Sequence, residues 1–447
     1  MNLVITNTLT RKKENFIPVK NKTVNMYVCG ITPYADSHIG HGRCYVNFDV
    51  LYRLLKFLEY KVTYVRNITD IDDKLINKAI EQTGDIKNYL SISQKYTQNF
   101  WQDMQSLNNL KPDHEPKVTE NIQEIINFIK DLIEKKHAYV LNNDVYFDVL
   151  SFKNYGALSG KKLEDLKMGS RVDVDERKKH PADFVLWKGN SENLFWQSPW
   201  GYGRPGWHIE CSVMAQKYLG NILDIHGGGM DLIFPHHENE VAQSQTHNLE
   251  PLAKYWVHNA FININKEKMS KSLGNFFTLK TVFENFDPMV LRFYILQHNY
   301  RTPIEFTLES LKAAQTAYEK LVTVFKDIKT QDKNITLDLV LGHEILTEML
   351  VALCDDLNTP KFFGILFENL NNIKEDKDLA VFIKNFVNVL LGLTLESVKK
   401  EIALTPEIEN LIKEREQARA FKNWELSDKI RAQLLKLGYE VQDKKLK

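Results

Sequence analysis

The sequence predicts an α/β protein: a doubly wound parallel sheet with an insertion, followed by a helical bundle and a small C-terminal module. Three observations point to it. Residues 24–29 read as a strand, Phe48, Leu51, Leu54, Leu55 and Leu58 fall at roughly helical spacing, and "KVTYVRNIT" then alternates as a strand does. Strand, loop, helix, strand is the unit of a parallel sheet. After about residue 305 the texture changes to long amphipathic helices, one striped by Leu311, Ala314, Leu321, Val324 and Ile328. Between about residues 85 and 200 the pattern is mixed, which places an insertion between two halves of the sheet.

Taken in order, "MYVCGITPYADSHIGHGRCYVNFDV" at 26–50 supplies the first strand, its loop and the start of its helix. Ligands of such sheets sit at the carboxyl ends of strands, and "DIDDK" at 70–74 lands at the end of the second one. In the insertion, "TENIQEIINFIKDLIEKKHAYV" is helical and "NDVYFDV" alternates as a strand. From "GRPGWHIEC" to "HGGGMDLIFPHHENEVAQSQ" glycine and histidine are frequent, a composition of functional loops rather than plain core. Near the C-terminus Thr405 is a candidate N-cap, with Pro406 in the first turn and Glu407 near the positive end of the helix. A second helix passes through Trp424, Ile430, Leu434 and Leu437 and stops at Gly438. The resulting divisions are a sheet domain over 1–305 with its insertion at about 85–200 and a "KMSKS" region at about 255–305, a bundle over 306–398, and a terminal module over 399–447.

Composition narrows the class. At 447 residues the chain exceeds one ordinary core. Apolar residues at 43% and charged residues at 26% match average globular chains, no apolar run is long enough to span a bilayer, and the first residues do not read as a secretory signal. A cytoplasmic protein is expected. Four cysteines (Cys29, Cys44, Cys211, Cys354) do not make a disulfide framework in a chain of this size; they are free thiols, metal ligands or small core residues. Lysine plus arginine equals aspartate plus glutamate, 58 each, so a polyanionic partner would have to be held by a local patch.

Two short motifs suggest phosphate chemistry. In "HIGH", His38 to His41, a glycine allows close approach to a phosphate at the positive start of a helix, and two imidazoles can stabilise charge developing on a phosphoryl group. In "KMSKS", Lys268 and Lys271 stand three apart in a polar loop suited to clamp a triphosphate. Read alone, the first is equally a turn with exposed histidines and the second a solvated loop.

Together, in this order and about 230 residues apart, they resemble the motif pair of class I aminoacyl-tRNA synthetases, whose catalytic domain is Rossmann-type. "YVCGITPY", "YVRNITDIDDK", "GRPGWHIECS", "HGGGMDLIFPHHENE", "EKMSKSLGNF" and "DDLNTP" are similar to the cysteinyl-tRNA synthetase family in particular, from about Met26 to the C-terminal helices. The resemblance implies a zinc ion held by Cys29, Cys211, His236 and Glu240. It implies a cysteine pocket around Cys29, Gly30, Trp207, His208 and His226, and an ATP site at Thr32, Gly40, His41, Gly227, Gly228, Gly229, Asp231 and Lys271. His38, His41, Lys268 and Lys271 would be catalytic, Mg2+ would accompany ATP, and the partners would be tRNA(Cys), ATP and L-cysteine, with the enzyme a monomer. The chemistry of the ligand set agrees: two thiolates, an imidazole and a carboxylate suit zinc, and His236 and Glu240, four apart, share a helical face. A metal that reads a thiol rejects serine without editing, and the insertion shows no room for a large editing domain. The same catalytic motifs occur in ligases that join cysteine to an amino sugar, and the helical module after residue 399 favours the RNA substrate. The sequence ends at "GYEVQDKKLK" without the Thr-Trp-Arg-like tail of many relatives, so the anticodon contacts are the least matched part of the resemblance.

Overall fold

The computed structural model describes residues 1–163, 177–192, 194–264, 267–268, 277–328, 335–396, 406–421 and 423–436. A short antiparallel pair, β1 (Val4–Asn7) and β2 (Lys12–Asn15), precedes the main sheet. That sheet opens with β3 (Thr23–Ile31), passes through α1 (Ile39–Phe57) and returns as β4 (Lys61–Ile68), parallel to β3 from Thr23↔Lys61 onward. The expected strand, helix and strand are all present. The helix begins at Ile39, inside "HIGH", and its first turn is capped by side chains that are not the usual Ser, Thr, Asp or Asn.

Next come α2 (Asp73–Thr83), α3 (Tyr89–Ser106) and α4 (Ile122–Glu134), the first capped by Asp72, which accepts from Lys74 N at 2.8 Å. The "DIDDK" stretch therefore ends β4 and starts α2. The insertion then forms its own antiparallel sheet from β5 (Ala138–Leu141), β6 (Asp144–Phe147), β7 (Phe184–Gly189), β8 (Trp196–Ser198) and β9 (Gly201–Pro205), in the order β5-β6-β7-β9-β8. It is tied back to the main sheet by Asp73 of α2, which pairs with Lys188 at 3.0 Å and Arg204 at 2.5 Å.

The chain re-enters the main sheet through α5 (Ile209–Leu219), β10 (Leu223–Gly229), α6 (Glu238–Asn248) and β11 (Ala253–Asn259). The strand order is β11-β10-β3-β4, all parallel. Sequence runs outward from β3 to β4 and then outward again from β10 to β11, so the order reverses between β3 and β10. A crevice at such a switch point, beyond the carboxyl ends of the strands, is where open α/β sheets bind ligands.

The pleat divides β3 between two cores. Val24, Met26 and Val28 pack toward α1, while Tyr27 and Cys29 pack with residues of α4, α5 and α6. Beyond β11, β12 (Ile262–Ile264) pairs with β13 (Glu267–Lys268) and β14 (Ile304–Glu305), with α7 (Leu279–Asn285) and α8 (Pro288–Leu296) between the last two. The helices α9 (Leu308–Phe325), α10 (Leu337–Leu341), α11 (Glu344–Cys354), α12 (Thr359–Glu368), α13 (Leu370–Glu375) and α14 (Lys377–Leu391) follow, and α15 (Pro406–Ala420) packs on α16 (Trp424–Lys436). The α9 stripe buries Leu311, Ala314 and Leu321, and the core joining these helices to α1 is continuous. Thr405, Leu437, Gly438 and Lys271 lie outside the described residues. Among the described residues no helix is long and apolar enough to cross a membrane.

Candidate active site and metal centre

A cavity of about 320 Å3 opens at the switch point, lined among others by Cys29, Thr32, His38, His41, Trp207 and Asp231. His38 is the N-cap of α1, and its Nδ1 accepts from His41 N at 3.2 Å while His41 Nδ1 accepts from His38 N at 3.3 Å. The rings stack with centroids 3.7 Å apart. Two imidazoles thus make a reciprocal capping box, a task usually done by Ser or Thr with Glu. Because each Nδ1 accepts, each neutral ring carries its proton on Nε2 and presents a donor there. Residues of α7's approach hold this turn in place: His38 bridges Thr278, and Ile39 N donates to Phe277 O at 3.1 Å. "HIGH" is therefore joined to the chain immediately after the "KMSKS" segment. Lys268 ends β13 in register with Asn263.

Gly30, next to Cys29, is required by close approach. A Cβ there would stand 1.5 Å from the Asn67 carbonyl oxygen, where the β3–β4 register shifts, and Gly30 N donates to Asn67 Oδ1 at 2.8 Å.

Behind the cavity wall lies a fully buried cluster. Cys29 arrives from β3, Cys211 from α5, and His236 and Glu240 from the turn into α6 and its first turn. A tetrahedron with metal–sulfur bonds of about 2.3 Å and metal–nitrogen or –oxygen bonds of about 2.0 Å has S···S, S···O and N···O edges of about 3.8, 3.5 and 3.3 Å. Cys29 Sγ to Cys211 Sγ is 3.8 Å, Cys29 Sγ to Glu240 Oε1 is 3.6 Å, and His236 Nε2 to Glu240 Oε1 is 3.2 Å. These four residues fit a metal ion. A second quartet, Cys29, His226, His237 and Glu240, also lies within reach of one ion. It fits less well, since Cys29 Sγ to His237 Nε2 is 3.3 Å and His237 Nε2 to Glu240 Oε1 is 3.9 Å.

The surroundings support the first set. His236 turns Nδ1 toward His208 Nδ1 at 3.1 Å, the outward hydrogen bond that fixes a ligating ring. Glu240 is held on its other oxygen by His226 Nε2 at 2.9 Å, and His226 stacks on Trp256. Burial drives His236 and His237 well below the ordinary imidazole range and His208 and His258 to about 3, so these rings are neutral. Burial, with Cys211 beside it, pushes the Cys29 thiol well up, and a thiolate forms in such a place only against a cation.

The residues singled out from sequence take distinct places. Trp207, partly exposed, covers His236 with ring centroids 4.4 Å apart and faces the cavity. Gly40, Gly229 and Asp231 line the cavity, whereas Gly227 is buried where a Cβ would meet the Phe48 ring at 2.2 Å, and Gly228 lies against Leu232 and His237. His226 and His208 stand behind the metal cluster rather than in the open cleft. Sequence reasoning missed His237 and His258, joined Nδ1 to Nε2 at 2.7 Å, with His258 continuing to Thr8 Oγ1 at 2.7 Å. The doubled histidine of "PHHENE" and the histidine next to last in the strand "KYWVHN" were the available signals.

This sheet, with its anion-ready helix start at the switch point, has counterparts of low sequence identity. Mycobacterium tuberculosis methionyl-tRNA synthetase in complex with methionyl-adenylate superposes with a TM-score of 0.55 at 12% identity, covering 82% of this chain and 89% of that one. The Agrobacterium radiobacter LeuRS-tRNA-LeuAMS ternary complex gives 0.57 at 12% identity, covering 85% and 84%. Residues 15–316 match the family of "tRNA synthetases class I (C) catalytic domain", which makes the protein a class I tRNA synthetase, a ligase. Residues 402–447 match the "Cysteinyl-tRNA ligase anticodon binding domain". Curated cysteine–tRNA ligases from Hydrogenovibrio crunogenus and Pelobacter propionicus are 45% and 44% identical, each over 99% of this chain and 98% of its own length. The chain belongs to the cysteine–tRNA ligase family.

Proposed function

We propose that the protein activates L-cysteine with ATP at the β3/β10 crevice and transfers it to the 3' end of tRNA(Cys), using the residues assembled there. The observation that supports this most is the convergence of a thiol-reading donor set with the imidazole-capped helix start around one cavity. The cysteine carboxylate attacks the α-phosphorus of ATP; a P–O bond forms, the bond to the β-phosphate oxygen breaks, and pyrophosphate leaves. The Nε2–H groups of His38 and His41, with the positive end of α1, stabilise the charge that develops on the α-phosphate. Lys268 and Lys271 neutralise the departing pyrophosphate, and Lys271 has the larger effect. A carboxylate nucleophile needs no general base. Thr32, Gly40, Gly229 and Asp231 surround the nucleotide, with Gly227 and Gly228 giving the strand end its close packing, and Mg2+ accompanies the phosphates. The terminal ribose hydroxyl of the tRNA then attacks the adenylate carbonyl and AMP departs.

Cys29, Cys211, His236 and Glu240 would hold Zn2+, which supplies a thiophilic Lewis acid that distinguishes a thiol from a hydroxyl. Trp207 packs over the bound amino acid, Gly30 lets the backbone approach it, and His208 and His226 orient His236 and Glu240. Residues 1–305 carry adenylation, 306–398 grip the tRNA stem and 399–447 read the anticodon. The enzyme works in the cytoplasm as a monomer.

The test is transfer of labelled cysteine to purified tRNA, with serine and an amino sugar as competing substrate and acceptor. Cysteine on RNA with serine rejected is the expected result. Adenylate formed without RNA charging, or cysteine delivered to the sugar, would overturn the acceptor assignment.

A further inference from the structure

The helix capped by His38 is fastened to the opposite wall of the cavity by an arginine in its first turns. Arg43 of α1, two residues past His41, is buried, and its guanidinium reaches the main chain of two segments 218 to 259 residues further along. Nη1 donates to Phe261 O, and Nη2 donates to Thr302 O and, at 3.2 Å each, to Asn299 O and Tyr300 O. The Phe261 carbonyl also accepts from Ile304 N at 3.1 Å, and the Tyr300 carbonyl from Ala260 N at 2.8 Å. One guanidinium thus closes the seam where the parallel pair β12 and β14 begins, at Ile262↔Ile304.

Among the described residues the partners of Arg43 are all main-chain carbonyls. Burial pulls the guanidinium down to about 10, against the opposing pull of Tyr294 and Cys44, so it stays charged at neutral pH. A buried cation without a carboxylate is costly, and an apolar side chain of similar volume would pack the same seam with less desolvation. What the guanidinium adds is a fixed spacing, because its planar donors set where each carbonyl stands. Both ends of this clamp face the cavity. His38 and His41 line it from α1, and Ala260, Phe261 and Ile262 line it from the seam, while Arg43 stands behind that lining. β12 in turn pairs with β13, Asn263 in register with Lys268, the first residue of "KMSKS".

We propose that Arg43 is a positioning residue for adenylate formation, setting the distance between the "HIGH" turn and the strand pair that leads into "KMSKS" so that both motifs meet one ATP at the same time. The inference rests on reading this cavity as the ATP site. It concerns the step in which the α-phosphate and the departing pyrophosphate are held together, where a shift of about 1 Å costs about a hundredfold in rate. Either motif alone can still bind ATP after such a shift, so the effect falls on kcat rather than on KM.

The experiment is steady-state pyrophosphate exchange by full-length Arg43→Lys and Arg43→Ala, per folded chain, with guanidinium ion added back at concentrations that leave the parent folded and active. Arg43→Lys is expected to lose about a hundredfold in kcat, with KM for ATP and for cysteine close to the parent's. Arg43→Ala should lose at least as much and recover a saturable part with guanidinium chloride, and none with sodium chloride at equal ionic strength. Hydrogen–deuterium exchange should quicken in both variants at Ala260 and Ile304, whose acceptor carbonyls Arg43 shares, and stay parental in α5, which carries Cys211. A seam that only stabilises the fold would lower Tm and leave kcat unchanged. Parental kcat in a folded Arg43→Lys enzyme, or a folded Arg43→Ala enzyme that guanidinium does not restore, overturns the inference while leaving the ATP site intact. Where Arg43→Ala does not fold, the kcat of Arg43→Lys decides. A parent without pyrophosphate exchange overturns the reading of the cavity and this inference with it.

Discussion

His38 has two roles that can be told apart: its Nδ1 caps α1, and its side chain lines the cavity proposed to take ATP. Asn is a good N-cap, so His38→Asn should keep Tm close to the parent while pyrophosphate exchange falls about a hundredfold or more. His38→Ala should lose exchange and also about 1 kcal/mol of stability. Parental exchange in the Asn variant would refute the catalytic role. At the metal cluster, Cys211→Ser should lose bound metal by elemental analysis, whereas His237→Asn should retain it, because the tetrahedral edges fit the quartet with Cys211 and His236. The reverse pattern would select the other quartet. Spacing could place His236 and Glu240 on one face, but His237, three residues before Glu240, is an equally good partner on a helix. Only the tertiary distances separate the two, and they become visible when Cys29 is brought in from a strand some 180 residues from Cys211.

At the scale of the element, β3 is the decisive one. Gly30 sits where β3 and β4 change register, and Gly30→Ala must part the strands or displace Asn67. The expected loss is about 1–3 kcal/mol, read from urea unfolding, with weaker metal binding because Cys29 moves with the strand. A variant as stable as the parent would show that the close approach relaxes freely. The alternation of β4 and the stripe of α9 were legible because each element repeats its faces at a fixed period. The reciprocal capping of α1 by His38 and His41 was not, since histidine is not a recognised cap. Nor was the five-stranded insertion sheet beyond "NDVYFDV": its strands are short, and their order β5-β6-β7-β9-β8 depends on non-local pairing across residues 138–205.

At the scale of the whole molecule, the sheet and the helices after residue 305 meet at a buried charge cluster. Asp49 of α1 accepts from Arg53 Nε at 2.7 Å and from Arg292 of α8, and Leu110 N donates to its other oxygen at 2.7 Å. Both arginines also donate to carbonyls at the end of α14, Arg53 to Asn388 and Val389 and Arg292 to Leu391. Asp49→Ala would leave two buried guanidinium groups without their carboxylate and should cost about 3–5 kcal/mol by equilibrium denaturation. A cost under about 1 kcal/mol would mean that the carbonyls alone satisfy them. Sequence patterning showed a bundle after the sheet, but not this joint, because Asp49, Arg53 and Arg292 look like ordinary surface charges on amphipathic helices. The pleat of β3 has a broader consequence for the architecture. Cys29 faces α5 and α6, while the helix that begins at His38 packs on the opposite face with Met26 and Val28. On the proposed roles, the residues that would read the amino acid and those that would act on the nucleotide are thus built on opposite sides of one strand, so either set can be altered by substitution without repacking the other.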